Sequence, residues 1–555
     1  CVGVNALMGL LQFTGNNPVT WDWFSTLIVD RKYSDYLQLS NDINYGSMYG
    51  MLYHYNYVGS FVGLVIPLFT VMLIFDGKTS HRILFAIFDV LAVFMLMGSS
   101  ARSGFVAIAA ALVVGIIVFA RVIIKHWKRS LAVVCAAAVI VVGANFAMGG
   151  RLLDRIPSVF SDAVSLFTPA NDTDLFSALP VREILHNDDG SLSFKAQTDT
   201  LTLTYQPITG GYSFTDAEGN TVPVTCDEKG VVKINDSRFN GISLQILSSE
   251  EGMDYKDVIF FWFNDDDTSI LTFKLFNENQ IHMIDANTGE RITPVNAESF
   301  GFKGKEKLGS SRGYIWSRTM PMLKNCLLIG YGPDTFAYEF PQNDFLAKYY
   351  SYDEGFNIVV DKPHNLYLQI FFSSGLIALI AFLAICGYYI MDSLRLYALK
   401  KEYRAEQIFG ISVMLGIIGY LAAGLFNDSV VSVAPVFWIL LGVGCALNTI
   451  NRRMDRNLPV GDEEEDESAV PVPVFSEKEA TMEKRAEDAA VAFAQSIRNS
   501  IDVVENTPKK PEEPVTREKV EDLLARVQKL TTYTDDPPVQ EQNSPENTDN
   551  TDNKQ

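Results

Sequence analysis

With 555 residues, 48% of them hydrophobic, and a net charge of −21, the chain is long enough for several folded units. Its mean hydropathy of +0.10 averages long apolar runs with strongly polar stretches, which excludes both a purely soluble enzyme and a bare membrane bundle. Roughly half of the negative charge lies in the last hundred or so residues, which excludes nucleic acid as a partner of that part.

Residues 1–14 form an apolar run that opens on Cys1, with no charged region before it and no small-residue cleavage site. That pattern is not a signal peptide. It reads as the end of a membrane span in a chain that has lost one or more upstream spans. Apolar runs follow at 58–75, 82–98, 104–124 and 130–148, then at 366–391, 406–426 and 432–450. Most come close to the ~20 residues needed to cross the hydrocarbon core. Four connectors are basic: Lys78 with Arg82, RVIIKHWKRS at 121–130, Arg395 to Arg404, and Arg452 to Arg456. Simple alternation of the spans puts all four on one side, and positive charge marks that side as cytoplasmic. Residues 15–57, the 99–103 turn, a large loop at about 149–365 and the FNDSVV turn near 426 then face outward. The C-terminal tail faces the cytoplasm.

Within the large loop, residues from about 191 to 285 carry strand signals. SLSFKAQTDTLTLTYQ alternates with period two, an AEGN turn separates GYSFTD from TVPVT, and the acidic NDDDT turn separates DVIFFWF from SILTFKLF. The expectation is a small β-rich domain inserted within 149–308, with mixed helical and irregular chain over 309–365. Cys226 and Cys326 are the only cysteines in the loop, and the sequence leaves their pairing open. After residue 451 the tail holds an acidic, proline-containing linker, helical patterns at 477–498 and 516–530, and a polar end that composition assigns to disorder. The apolar face of the second helix suits a coiled coil or a cytoplasmic partner.

Chemistry is sought where charge meets the membrane. Arg102, in SSARSG, sits at the outer boundary between two spans, where an arginine either snorkels to the interface or serves a ligand. His364, in DKPHNLYLQ, precedes a span and can take a proton near neutral pH or merely cap the helix. Arg312 and Arg318 lie in GSSRGYIWSRTMPML. There Tyr314, Ile315, Trp316, Met320 and Met322 suggest an amphipathic helix on the membrane surface, and guanidinium groups could grip phosphate. Asp265 and Asp267 form a DxD in a turn, where the solvated-turn reading prevails. No metal-binding or nucleophile motif is present, so neither metal nor cofactor is expected.

Three segments together carry a resemblance. GSSARSGFVAI at 98–108, SSRGYIWSRTMPMLKNCLLIGYGPDTF at 310–336 and HNLYLQIFFSSGLIALIAFL at 364–383 resemble, in order and in spacing to the spans, the O-antigen ligase and polymerase superfamily of bacterial membrane glycosyltransferases. YHYNYVGSF at 53–61 is similar to the family's Asn-rich span entry. The resemblance covers about 1–150 and 300–450, leaving out the β-rich insert and the tail. It implies an α-helical polytopic membrane protein with a GT-C-like helix bundle. It also implies a glycan donor on a polyprenyl diphosphate at the outer leaflet, and inverting, metal-independent transfer to a glycan, lipid or protein acceptor. Arg102 and Arg312 would hold the diphosphate, with Arg318 and Asp334 as further candidates, and His364 would act as general base. Polymerase, ligase and protein O-oligosaccharyltransferase all share these motifs. A non-enzymatic receptor, with the β-rich domain outside and the tail as output, is the competing class.

Overall fold

The computed structural model describes residues 1–21, 23–24, 48–52, 54–128, 130–131, 135, 142–143, 179–250, 252–263, 266–285, 289–352 and 358–458. The expected span at 130–148 falls largely outside the described residues, and the tail helices at 477–498 and 516–530 fall wholly outside them. The same holds for Asp265 and the side chain of Asp267 in the DxD turn.

Among the described residues the apolar runs fold as helices. A short helix α1 (Val2–Phe13) is followed by α2 (Tyr55–Phe75), α3 (Thr79–Ser99) and α4 (Arg102–Lys125). Near the C-terminus come α8 (Leu366–Ser374), α9 (Leu376–Tyr397), α10 (Ala405–Ala423) and α11 (Ala434–Asp455). Among the described residues six helices are long and apolar enough to cross a membrane: α2, α3, α4, α9, α10 and α11. The chain is a multi-pass membrane protein.

Small residues set the packing. A Cβ on Gly63 of α2 would lie 2.5 Å from the Ala107 side chain of α4, and one on Gly419 of α10 would lie 2.1 Å from the Gly63 carbonyl oxygen. Three backbones thus pack against one another without intervening side chains, the contact that small residues allow between membrane helices. Because α2, α4 and α10 are fitted this closely, the turns at their ends are brought together too.

The two ends of the bundle differ chemically. At one end the basic connectors meet: Lys125 pairs with Glu402 at 3.1 Å, while Lys400 and Arg404 share Asp455 at 3.0 and 2.6 Å. At the other end lie the starts of α2, α4 and α8 and the 424–429 turn. The apolar run at 366–391, read from sequence as one span, is broken at Gly375, whose φ of +94° no helix adopts.

Between the two groups of helices in the chain comes a β-rich unit, with eleven strands among the described residues. A four-stranded antiparallel meander, β1 (Val181–His186), β2 (Leu192–Ala196), β3 (Thr200–Gln206) and β4 (Gly211–Thr215), packs on a seven-stranded sheet. The second sheet runs β5 (Val224–Cys226), β6 (Val231–Ile234), β7 (Ile242–Ser248), β8 (Tyr255–Phe263), β9 (Asp266–Phe276), β10 (Ile281–Ile284) and β11 (Arg291–Ile292). Strict alternation on β8 turns Ile259, Phe261 and Phe263 inward, and Phe194 of β2 stacks on Phe261 with ring centroids 4.3 Å apart. The unit extends beyond the expected 191–285, because β1 carries Arg182 and Glu183 amid its apolar residues and so hides its alternation.

The chain then forms α5 (Leu308–Met322), α6 (Phe336–Glu339) and α7 (Phe345–Tyr352). Phe345 and Leu346 of α7 complete the core of the β-rich unit, so that unit and the following loop are welded together. Cys226 is exposed, Cys326 is buried, and both are free thiols.

Candidate functional site

A six-residue turn, Gly424 to Ser429, lies between α10 and α11 and is used almost completely for hydrogen bonding. Gly424 O accepts from Leu366 N at 2.7 Å, and Leu425 O accepts from Asn365 Nδ2 at 2.9 Å. Phe426 O accepts from Arg312 Nε at 3.1 Å. Asn427 Nδ2 donates to Asn56 O (2.8 Å), Ser60 Oγ (3.0 Å) and Ser103 Oγ (2.7 Å). Asp428 accepts from Asn365 N at 3.2 Å through one oxygen and meets His364 Nδ1 at 3.0 Å through the other. Ser429 N donates to Gln369 Oε1 at 2.6 Å. One turn therefore touches the entry of α2, the first turn of α4, the start of α8 and Arg312 of α5.

His364 sits just before α8 with φ +48°, a left-handed conformation that costs a non-glycine residue energy and that the surrounding bonds hold in place. Asn365 caps α8, accepting from Tyr367 N and Leu368 N at 3.0 Å each. Trp316 Nε1 donates to Pro363 O at 2.9 Å, which fixes the approach from the other side. Asp428 is fully buried and His364 is 18% exposed, so a carboxylate is held behind an imidazole that still reaches solvent. With Nδ1–H donated to the carboxylate, the basic lone pair is on Nε2.

Arg312 is buried and its guanidinium is held by carbonyls, Phe426 O through Nε and Gly309 O through Nη1 at 2.5 Å. Among the described residues it has no carboxylate partner. Gly309, Ser310 and Ser311 are all left-handed, with φ of +60°, +59° and +66°, and this turn aims the Gly309 carbonyl back at Arg312. The expected surface helix is not seen. Tyr314, Ile315 and Trp316 are buried, because α5 packs inside the loop beneath Phe336, Phe340 and Phe372.

Arg102 opens α4, half-buried, beside the Ser103 that Asn427 holds. The N-terminal end of the α4 dipole at that first turn favours an anion. Lys362 lies against Tyr57 of α2, with Nζ 3.4 Å from the phenol oxygen. Arg318 is placed elsewhere: buried in α5, it pairs with the buried Asp344 at 3.0 Å and lies over the Tyr314 ring. Burial raises the Asp344 carboxyl above the ordinary carboxylate range and drives Lys348, whose Nζ donates to Gln342 Oε1 and Ile358 O, down to about 7. Asp334 is exposed and forms no part of the 424–429 contacts.

Sequence reading missed Asn427 and Asp428, and with them Asn365 and Gln369. Asn365 and Gln369 lie in the HNLYLQ motif without having been singled out, and for Asn427 and Asp428 the only signal was two adjacent polar residues in a short turn between apolar runs, which ordinary turn chemistry also produces.

Residues 258–383 match the family model described as O-antigen ligase. The sequence resemblance to the O-antigen ligase superfamily is thus borne out over a stretch that includes the 310–336 and 364–383 motifs. The match begins inside β8, so it takes in the last strands of the β-rich unit that the sequence resemblance had left out. Arg102 and the 424–429 turn lie outside the matched residues. No curated protein and no solved structure matches the chain.

Proposed function

We propose that the chain is a glycosyltransferase of the O-antigen ligase type. It moves or polymerises a glycan from a polyprenyl diphosphate at the outer face of the cytoplasmic membrane, for surface polysaccharide assembly, on a GT-C-like bundle. The observation that carries the reading is the Phe426–Asp428 turn. Three consecutive residues hold Arg312, the first turn of α4 that begins at Arg102, and His364.

The acceptor hydroxyl oxygen attacks the anomeric carbon from the face opposite the diphosphate. His364 Nε2 takes the hydroxyl proton, which is worth about 10²–10⁴ in rate. The new carbon–oxygen bond forms as the bond to the diphosphate oxygen breaks, and the electron pair leaves with the diphosphate, inverting the centre. Arg312, Arg102 and the α4 N-terminus meet the growing negative charge, each well-placed donor supplying about 3–4 kcal/mol. Asp428 keeps the imidazole in the productive tautomer and stabilises the imidazolium that forms. The basic end of the bundle supports a cytoplasmic location for that end and for the tail.

The test is His364→Ala in the full chain. Loss of glycan transfer with normal membrane insertion is expected, and wild-type transfer would overturn the reading. In a deletion strain, single-unit products mark a polymerase and long unattached lipid-linked chains mark a ligase. Glycan missing from protein serine or threonine marks a protein O-oligosaccharyltransferase.

A further inference from the structure

The loop joining α5 to α6 has a feature that glycosyl transfer does not use. Residues 326–332 are fastened to the break between α8 and α9. Tyr331 N donates to Phe372 O at 2.9 Å, Gly332 N to Ser373 O at 3.0 Å, and Leu376 N to Cys326 O at 3.3 Å. The fit is close: a Cβ on Gly330 would lie 2.2 Å from the Ser373 carbonyl carbon, and one on Gly375 would lie 2.8 Å from Leu328 O. A loop held by backbone at both ends could have turned its apolar side chains inward. Instead Leu327, Leu328 and Ile329 are 52%, 73% and 80% exposed.

What they face follows from the neighbour. The Leu328 carbonyl lies against Gly375, and α9, one of the six membrane-long helices, begins at the next residue. On α9, Ile377 and Ile380 are also exposed, at 60% and 57%, as the lipid face of a spanning helix must be. The three loop side chains therefore stand beside the start of a membrane-long helix, exposed as its Ile377 and Ile380 are. We propose that Leu327, Leu328 and Ile329 form a membrane anchor that inserts among the lipid acyl chains at the site end of the bundle. Buried apolar area at such a boundary is what holds interfacial segments in place. The surface-lying element of this loop is then the Leu-Leu-Ile tip and not α5. The anchor is fastened to the far end of α8, whose near end is capped by Asn365 beside His364. One rigid helix of nine residues thus sets the height of the imidazole relative to the bilayer.

The test places the photo-crosslinking residue p-benzoylphenylalanine singly at three exposed positions of the full chain in its native membrane. These are Leu328, Ile380 on the α9 lipid face, and Ile208, fully exposed in the turn between β3 and β4. After irradiation, mass spectrometry reads phospholipid adducts on the isolated protein. Adducts at 328 and 380 with none at 208 are expected. A position 328 that behaves like 208, or that crosslinks to another protein instead of lipid, would overturn the proposal.

Discussion

Asp428→Asn is the sharpest probe of the site. The carboxylate accepts two hydrogen bonds, from His364 Nδ1 at 3.0 Å and from the Asn365 backbone N–H at 3.2 Å. An amide has one oxygen, so it can satisfy only one of them. The backbone N–H cannot change its role, so the amide oxygen goes to Asn365 and the NH₂ group faces His364. Nδ1 must then accept, the ring proton moves to Nε2, and the lone pair that should take the acceptor's proton is lost. If the oxygen turns to His364 instead, two donors oppose each other at Asn365 within a fully buried contact, at a cost of about 1–3 kcal/mol. The expected loss in kcat is about 10²–10⁴, the range for general-base catalysis. The Michaelis constant for donor should change little, because Asp428 does not reach the diphosphate in this scheme. The assay uses purified protein reconstituted in vesicles, a polyprenyl-diphosphate glycan and acceptor, with product resolved by chromatography. Thermal unfolding in detergent checks that the fold persists. Wild-type kcat in a folded Asp428→Asn protein would refute the dyad.

Other outcomes follow from the same contacts. Arg312→Met removes a cation already aimed by two carbonyls and should lower kcat about 10²–10³-fold, read in the same assay. Asn427→Ala removes the side-chain donor shared by the Asn56 carbonyl and the buried Ser60 and Ser103 hydroxyls. It should cost about 1–3 kcal/mol, seen as a lower melting temperature. Lys348 gives a pH signature. Its pKa is about 7 in the folded protein against about 10.4 in an unfolded chain, so the unfolded state binds the extra proton between those values. Stability should rise with pH across that window and be lost as pH falls toward 7. Lys348→Met should flatten the dependence in pH-resolved thermal melts, and an unchanged slope would remove Lys348 as its source.

The six spans seen among the described residues were legible because each is a long apolar run, and the strands because Leu, Phe and Thr alternate on them. The break at Gly375 was not, because apolar residues run straight through it and only the backbone of the 326–332 loop reveals why the chain turns. The burial of α5 was hidden by composition, since Trp and Arg serve equally at a membrane surface and in a polar-lined core. His364, Arg102 and Arg312 stood out through motif order. Asp428 did not, because its partner lies 64 residues earlier and no local pattern records a contact of that separation. Arg318 shows the converse: it lies in the same segment as Arg312, and only Asp344, 26 residues on, reveals that its guanidinium is paired and not held by carbonyls.

That difference bears on how the site is kept in register. Two carbonyls orient Arg312 without cancelling its charge, whereas the Asp344 carboxylate neutralises Arg318. If Arg312 meets an anion as proposed, positioning by neutral dipoles keeps its charge available, and the 424–429 turn supplies one such dipole at Phe426 while giving its single carboxylate to His364. The turn can do both only because α2, α4 and α10 pack glycine against glycine. A methyl at Gly63 or Gly419 would separate the helices whose ends Asn427 joins. Close packing within the bundle and the geometry of charge at its end are therefore one property. Substitutions at Gly63 or Gly419, which touch no proposed substrate group, should weaken transfer through the Asn427 contacts before they prevent membrane insertion.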